Sequence, residues 1–241
     1  MPRYIAEFVG TMILIILGDG VCCNVSLKKS GMNGAGALHV TTGWGMAVLL
    51  PAMIFGSSSG AHFNPVVTIG SAILGGTPWS DVLPYTIAQM LGAIAGACIV
   101  YVLFAEQFKA TEDPKTKLGV FCTGPSCPNT GLNFLSEFVC GFLLVFTLDG
   151  IGASGAAGGF TWFLVYAVIL SIGTSLGGLT GYAMNPARDL GPRMAHAFLP
   201  IPGKGDSNWG YAWIPVVAPV IGGAVAAYAY QALVNMGAIV I

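Results

Sequence analysis

Two short stretches carry the residues best placed to handle a polar molecule: Gly60-Ala61-His62-Phe63-Asn64-Pro65-Val66 and Gly181-Tyr182-Ala183-Met184-Asn185-Pro186-Ala187. Asn is a favoured helix cap, and Pro suits the first helical turn, where its missing N–H costs nothing. Each Asn-Pro pair therefore reads as the start of a helix that offers amide and backbone donors at the positive end of its dipole. Arg188 follows the second pair, and an arginine in so apolar a setting is expensive unless functional. Such a set orients a neutral hydroxyl rather than breaking bonds. No activated nucleophile pair, phosphate-binding loop or clustered metal ligands are evident, so no enzyme, metal or cofactor is expected. One Asn-Pro pair alone reads more simply as a capped surface helix. Two copies in matching apolar settings do not.

The elements that hold these pairs follow from composition. Of 241 residues, 55% are apolar and 8% are Asp, Glu, Lys or Arg, with a mean hydropathy of +0.77. Soluble domains carry about 25% charge, so the surface of this chain belongs in lipid. The net charge of −1 and the lack of a basic cluster exclude a nucleic-acid partner. Six apolar segments are long enough to span a bilayer: Arg3–Val25, Leu38–Phe55, Leu83–Phe104, Asn133–Gly150, Phe160–Leu176 and Trp213–Val234. The first has no small-residue cleavage site, which makes it a retained helix rather than a signal peptide. The segments after Asn64-Pro65 and Asn185-Pro186 run only to about Leu74 and Phe198. They are too short to cross and read as re-entrant pieces.

The chain repeats itself. Glu7-Phe8-Val9-Gly10 is answered by Glu137-Phe138-Val139-Cys140-Gly141, and each half places its Asn-Pro pair between its second and third spans. Three spans per half is odd, so the second half is inverted and both half-helices reach the midplane. The repeats cover about residues 1–105 and 131–241 of a single transmembrane domain, joined by a polar loop at 106–130. Gly92-x-x-x-Gly96 and Gly173-x-x-x-Gly177 are small-residue pairs that allow close backbone approach. Of the cysteines, Cys98 and Cys140 read as packing residues. Cys122 and Cys127 share a loop and would pair only if it faces an oxidising compartment.

Backbone that leaves a helix at membrane depth must be satisfied by protein or must line water. Two such breaks in symmetric positions predict a water-filled path, with Asn64 and Asn185 donating into it. Glu7 and Glu137, being repeat-related, read as braces for the unwound loops. Inverted repeats and broken helices also occur in ion-coupled secondary transporters, so that alternative stands on pattern alone. The buried acids it would need are few: Glu7, Asp19, Glu137 and Asp149.

At these residues the whole chain resembles the aquaporin (major intrinsic protein) family, and within it the bacterial glycerol facilitators, or aquaglyceroporins. The resemblance implies an all-α membrane protein: an aquaporin-like right-handed bundle of six transmembrane helices plus two re-entrant half-helices, with a pore in each monomer of a homotetramer. It places Asn64, Pro65, Val66, Asn185, Pro186 and Ala187 at the pore centre, and Trp44, Gly173, Tyr182 and Arg188 in a selectivity filter. Glu7, His62, Glu137 and Asp189 support the pore. An aromatic corner opposite an arginine suits a polyol, and Gly173 would leave the lumen open. Asp189 after the arginine and Gly at 173 both point to the glycerol branch.

The implied function is passive passage of glycerol and other small neutral solutes, with some water. Undissociated lactic acid, water or hydrogen peroxide are alternative solutes. Two departures from the family pattern stand out. Val66 replaces the usual alanine and is expected to narrow the centre, and Tyr182 adds a hydroxyl where Phe is common. The expected location is a prokaryotic plasma membrane, suggested by the lack of long extensions or targeting segments. By the resemblance both termini lie in the cytoplasm, although Lys28, Lys29, Lys109, Lys115 and Lys117 would then occupy outer loops, against the positive-inside rule.

Overall fold

The computed structural model describes residues 1–156 and 158–240. Six long helices match the expected spans: α1 (Pro2–Ser26), α2 (Ala37–Ser59), α4 (Trp79–Leu103), α7 (Thr130–Ala153), α8 (Gly159–Thr180) and α10 (Ile214–Asn235). Two shorter ones, α3 (Pro65–Ile73) and α9 (Pro186–Phe198), begin at the Asn-Pro pairs. At 1.5 Å per residue, α3 and α9 measure roughly 14 Å and 20 Å, so end to end they make about one bilayer thickness. Among the described residues there is no strand.

The linker is the first departure from expectation. Instead of a loop it folds into α5 (Ala105–Ala110) and α6 (Pro114–Phe121). Asp113 caps α6, accepting from the Lys115 and Thr116 backbone N–H groups. The Thr116 hydroxyl and these amides hold the Asp113 carboxyl below its ordinary pKa. Asp113-Pro114 is the same cap-then-proline signal as the Asn-Pro pairs, in a more polar setting. Cys122 and Cys127 are both free, one buried and one exposed.

Lipid inverts the usual pattern of side chains. On α4, Leu83, Ile87 and Leu91 are exposed at one-turn spacing, while Ala88, Gly92, Ala93, Gly96 and Ala97 are buried. Large apolar groups face outward and small ones let backbones meet. A Cβ on Gly92 would stand 2.2 Å from the Phe8 carbonyl oxygen of α1. One on Gly222 of α10 would stand 2.0 Å from that of Phe138 on α7. The two halves thus use the same glycine for the same helix pair.

Helix pairing follows that symmetry. Helix α1 packs on α2 and α4, α7 packs on α8 and α10, and α2 meets α8 between the halves. The half-helices cross over: α3 lies mainly against α10, and α9 mainly against α4. Each half therefore encloses the other's re-entrant piece.

A candidate pore and its constriction

The loops entering the half-helices are wound in an uncommon conformation. Ala61 and Phe63 in the first, and Tyr182 and Met184 in the second, have positive φ between 41° and 53°. Each such L-residue costs about 1–2 kcal/mol. The compensation comes from one buried carboxylate per loop. Glu7 accepts from Ser59 Oγ (2.6 Å), His62 N (3.0 Å), Phe63 N (2.7 Å) and Gln89 Nε2 (2.8 Å). Glu137 accepts from Thr180 Oγ1 (2.7 Å), Ala183 N (3.0 Å) and Met184 N (3.1 Å). Hydrogen bonds to a charged group contribute about 1.5–3 kcal/mol each. Each carboxylate thus ties two backbone N–H groups of its loop to a long helix, Glu7 to α1 and Glu137 to α7.

With their N–H groups turned to the glutamates, the loops present Gly60, Ala61 and His62 on one side and Ala183 and Met184 on the other to a common cavity of about 250 Å³. Asn64 and Asn185 both line it. Asn64 Oδ1 caps α3 at Val66 N, and Asn185 Oδ1 caps α9 at Ala187 N and Arg188 N. Pro65, Pro186 and Ala187 are buried in the first turns behind them.

His62 also lines the cavity, and its tautomer follows from its neighbours. Thr68 Oγ1 donates to the Asn64 carbonyl, so toward His62 Nδ1, 3.1 Å away, it can only accept. With the hydroxyl proton so assigned, Nδ1 donates to Thr68 and Nε2 is left as an acceptor. His62 rests against Tyr85, ring centroids 5.3 Å apart.

A second cavity, of about 640 Å³, opens between α2, α8 and the segment after α6. The two cavities share three side chains: Trp44, Tyr182 and Arg188. The constriction between them is therefore made of two aromatics and one cation. Arg188 Cζ lies 3.9 Å from the centroid of Trp44, and Nη1 donates to the Phe121 carbonyl at 3.2 Å. This differs from an aromatic corner set opposite the arginine. Instead the guanidinium stacks directly on Trp44, whose Nε1 in turn faces Cys22 Sγ at 3.3 Å.

Gly173 lines only the second cavity. A Cβ there would come within 2.8 Å of Tyr182 Cζ and 2.9 Å of Thr41 Cγ2. Its bare backbone admits the tyrosine ring rather than keeping the lumen empty, and Gly177 does the same. The second small-residue pair thus serves a side chain, whereas Gly92 and Gly96 serve helix contact. The Tyr182 hydroxyl has no partner among the described protein groups.

Val66 overturns its expectation. It is 1% exposed, packs with Val145, Ala226 and Ala227, and is absent from the cavity lining. As the second residue of α3 it points toward α7 and α10, where Gly223 has no side chain to oppose it. Its bulk does not narrow the path.

Asp189 faces away from the lumen. It accepts from Thr123 N and Oγ1, both at 2.7 Å, and from Arg193 Nε and Nη2 at 3.0 and 2.8 Å. It anchors the segment after α6 next to the constriction. Arg193, Thr123, Ser59 and Thr180 were not singled out from the sequence. The first stands one helical turn after Asp189, and the two hydroxyls occupy matching places before Gly60 and Gly181.

Among the described residues no cluster of His, Cys, Asp and Glu could hold a metal ion. Residues 1–230 match the family described as major intrinsic protein. The chain belongs to that family. Major intrinsic proteins are passive membrane channels, and this one is a multi-pass membrane protein and not an enzyme. Its relatives include the glycerol uptake facilitator protein of Bacillus subtilis, 52% identical over 96% of this chain and 85% of that one. A probable glycerol uptake facilitator of Thermotoga maritima is also 52% identical, over 96% and 99%. A D/L-lactic acid transporter of Lactiplantibacillus plantarum is more distant, 40% identical over 94% and 95%. The solved aquaglyceroporin of Plasmodium falciparum has a TM-score of 0.84 at 29% identity, covering 97% of this chain and 96% of that one.

Proposed function

We propose that this major intrinsic protein is a passive, bidirectional channel for glycerol and other small neutral solutes, with some water. The observation that carries the reading is the constriction of Trp44, Tyr182 and Arg188 shared by the two cavities. A polyol has hydroxyls that accept from the guanidinium and carbons that slide over aromatic rings. Beyond it, Nε2 of His62 and the loop carbonyls accept, and the two asparagine amides donate. A solute therefore exchanges hydration for protein partners in steps. The facilitator relatives support glycerol as the solute.

Undissociated lactic acid is the second candidate. The more distant relative carries that solute in its name. Lactate anion is disfavoured, because stripping water from a carboxylate in a narrow path is costly. Flux of water, glycerol, urea and lactic acid through proteoliposomes at several pH values tests the ranking. Glycerol should exceed lactic acid throughout; lactic acid well above glycerol at low pH would reverse it.

The channel works in the bilayer of a prokaryotic plasma membrane, as a homotetramer with cytoplasmic termini. Lys117 weighs less against that orientation than its charge suggests. It is buried and donates to the Pro202 carbonyl, so it is a structural cap and not a free loop charge.

A further inference from the structure

Asp19 sits in the C-terminal third of α1, fully buried, with both carboxylate oxygens lacking any hydrogen-bond partner among the described residues. The cation nearest to it is the one at the constriction: Oδ1 lies 3.8 Å from Arg188 Nη1. Nothing derived so far uses this acid. A buried carboxylate without partners is expensive, and its persistence in lipid marks a function.

The surrounding charges say which. Asp189 is fully engaged by Arg193 and Thr123, with Arg193 also donating to the carbonyls of Thr123, Ser207 and Asn208. That pair is closed. Arg188 is left with one carbonyl, Phe121, and the face of Trp44. Without Asp19 the buried set around the constriction would carry one positive charge too many. The same turn of α1 also shapes the other wall. A Cβ on Gly18 would fall 2.2 Å from the Trp44 ring, and Cys22 takes the indole N–H.

We propose that Asp19 is the counter-ion of Arg188, a positioning residue that holds the guanidinium against Trp44 and cancels its charge. This makes the constriction a hydrogen-bonding gate for neutral polyols rather than a cationic one. It rests on the channel reading above. The consequence is selectivity: removing the carboxylate leaves an unbalanced guanidinium that strays into the path and attracts small anions.

The test uses full-length protein in proteoliposomes, comparing wild type with Asp19→Asn, Asp19→Glu, and Asp19→Asn made in an Arg188→Gln background. In the wild-type background, Asp19→Asn should lower the glycerol-to-water permeability ratio roughly tenfold and make the remaining glycerol flux sensitive to added formate. Asp19→Glu should restore much of the ratio. In the Arg188→Gln background the aspartate substitution should change neither readout. Unchanged ratios in Asp19→Asn, or equal changes in both backgrounds, would overturn the pairing. Should Asp19→Asn fail to insert, the double-neutral variant should insert, since it leaves no charge unpaired. Its failure too would count against the proposal. If wild type passes no glycerol, the channel reading falls alone. The pairing is then decided by thermal stability, where losing either charge should cost more than losing both.

Discussion

Asn64 and Asn185 are tied to each other's loops. Asn64 Nδ2 donates to the Met184 carbonyl at 2.9 Å, and Asn185 Nδ2 donates to the Phe63 carbonyl at 2.8 Å. In both cases the acceptor is the residue just before the other asparagine. Since each Oδ1 is already capping its own half-helix, each amide keeps one N–H for the lumen. The pair locks two half-helices tip to tip and leaves two donors at their junction.

Truncating either asparagine removes a cap and a cross-loop bond together. Asn64→Ala should lower stability by about 2–3 kcal/mol. Glycerol permeability should fall more than tenfold, because the tips separate. Thermal unfolding in detergent with liposome flux checks both; a stable variant with full flux would remove Asn64 from the account.

The braces accept hydrogen bonds and donate none. Glu7→Gln keeps the shape but turns an NH₂ toward N–H groups that need an acceptor. A loss of about 3 kcal/mol is expected for Glu7→Gln, and a similar or smaller loss for Glu137→Gln, which has fewer partners. Denaturation midpoints of the two variants, measured side by side, decide it.

Val66→Ala separates packing from permeation. The side chain fills a pocket among Val145, Ala226 and Ala227, so its truncation should cost about 1–2 kcal/mol. Flux per folded protein should stay at the wild-type level. A faster variant would return Val66 to the pore.

Gly173→Ala works through a neighbour. The added methyl displaces Tyr182 toward Trp44 and Arg188, so glycerol should slow severalfold while smaller water slows less. Equal slowing of both solutes would argue for a general structural fault.

The sequence made the membrane spans and both half-helices legible because lipid demands long apolar runs and because Asn-Pro is a local signal. Glu7 and Glu137 were legible through the repeat. The direction of Val66 was not, since it depends on the rotation of α3 against α7 and α10, which no local pattern sets. The role of Gly173 was missed for a related reason: an absent side chain says that something approaches, not whether it is solute or the Tyr182 ring. The linker helices hid in a polar stretch, although Asp113-Pro114 was there to find.

The central claim is passive passage of glycerol through one continuous path, tested most directly by glycerol uptake into sealed proteoliposomes with and without an imposed proton or sodium gradient. Internal glycerol should rise quickly to the external concentration and stop there, at the same rate under either condition. Accumulation above the external concentration when a gradient is present would contradict a channel and point to a coupled transporter.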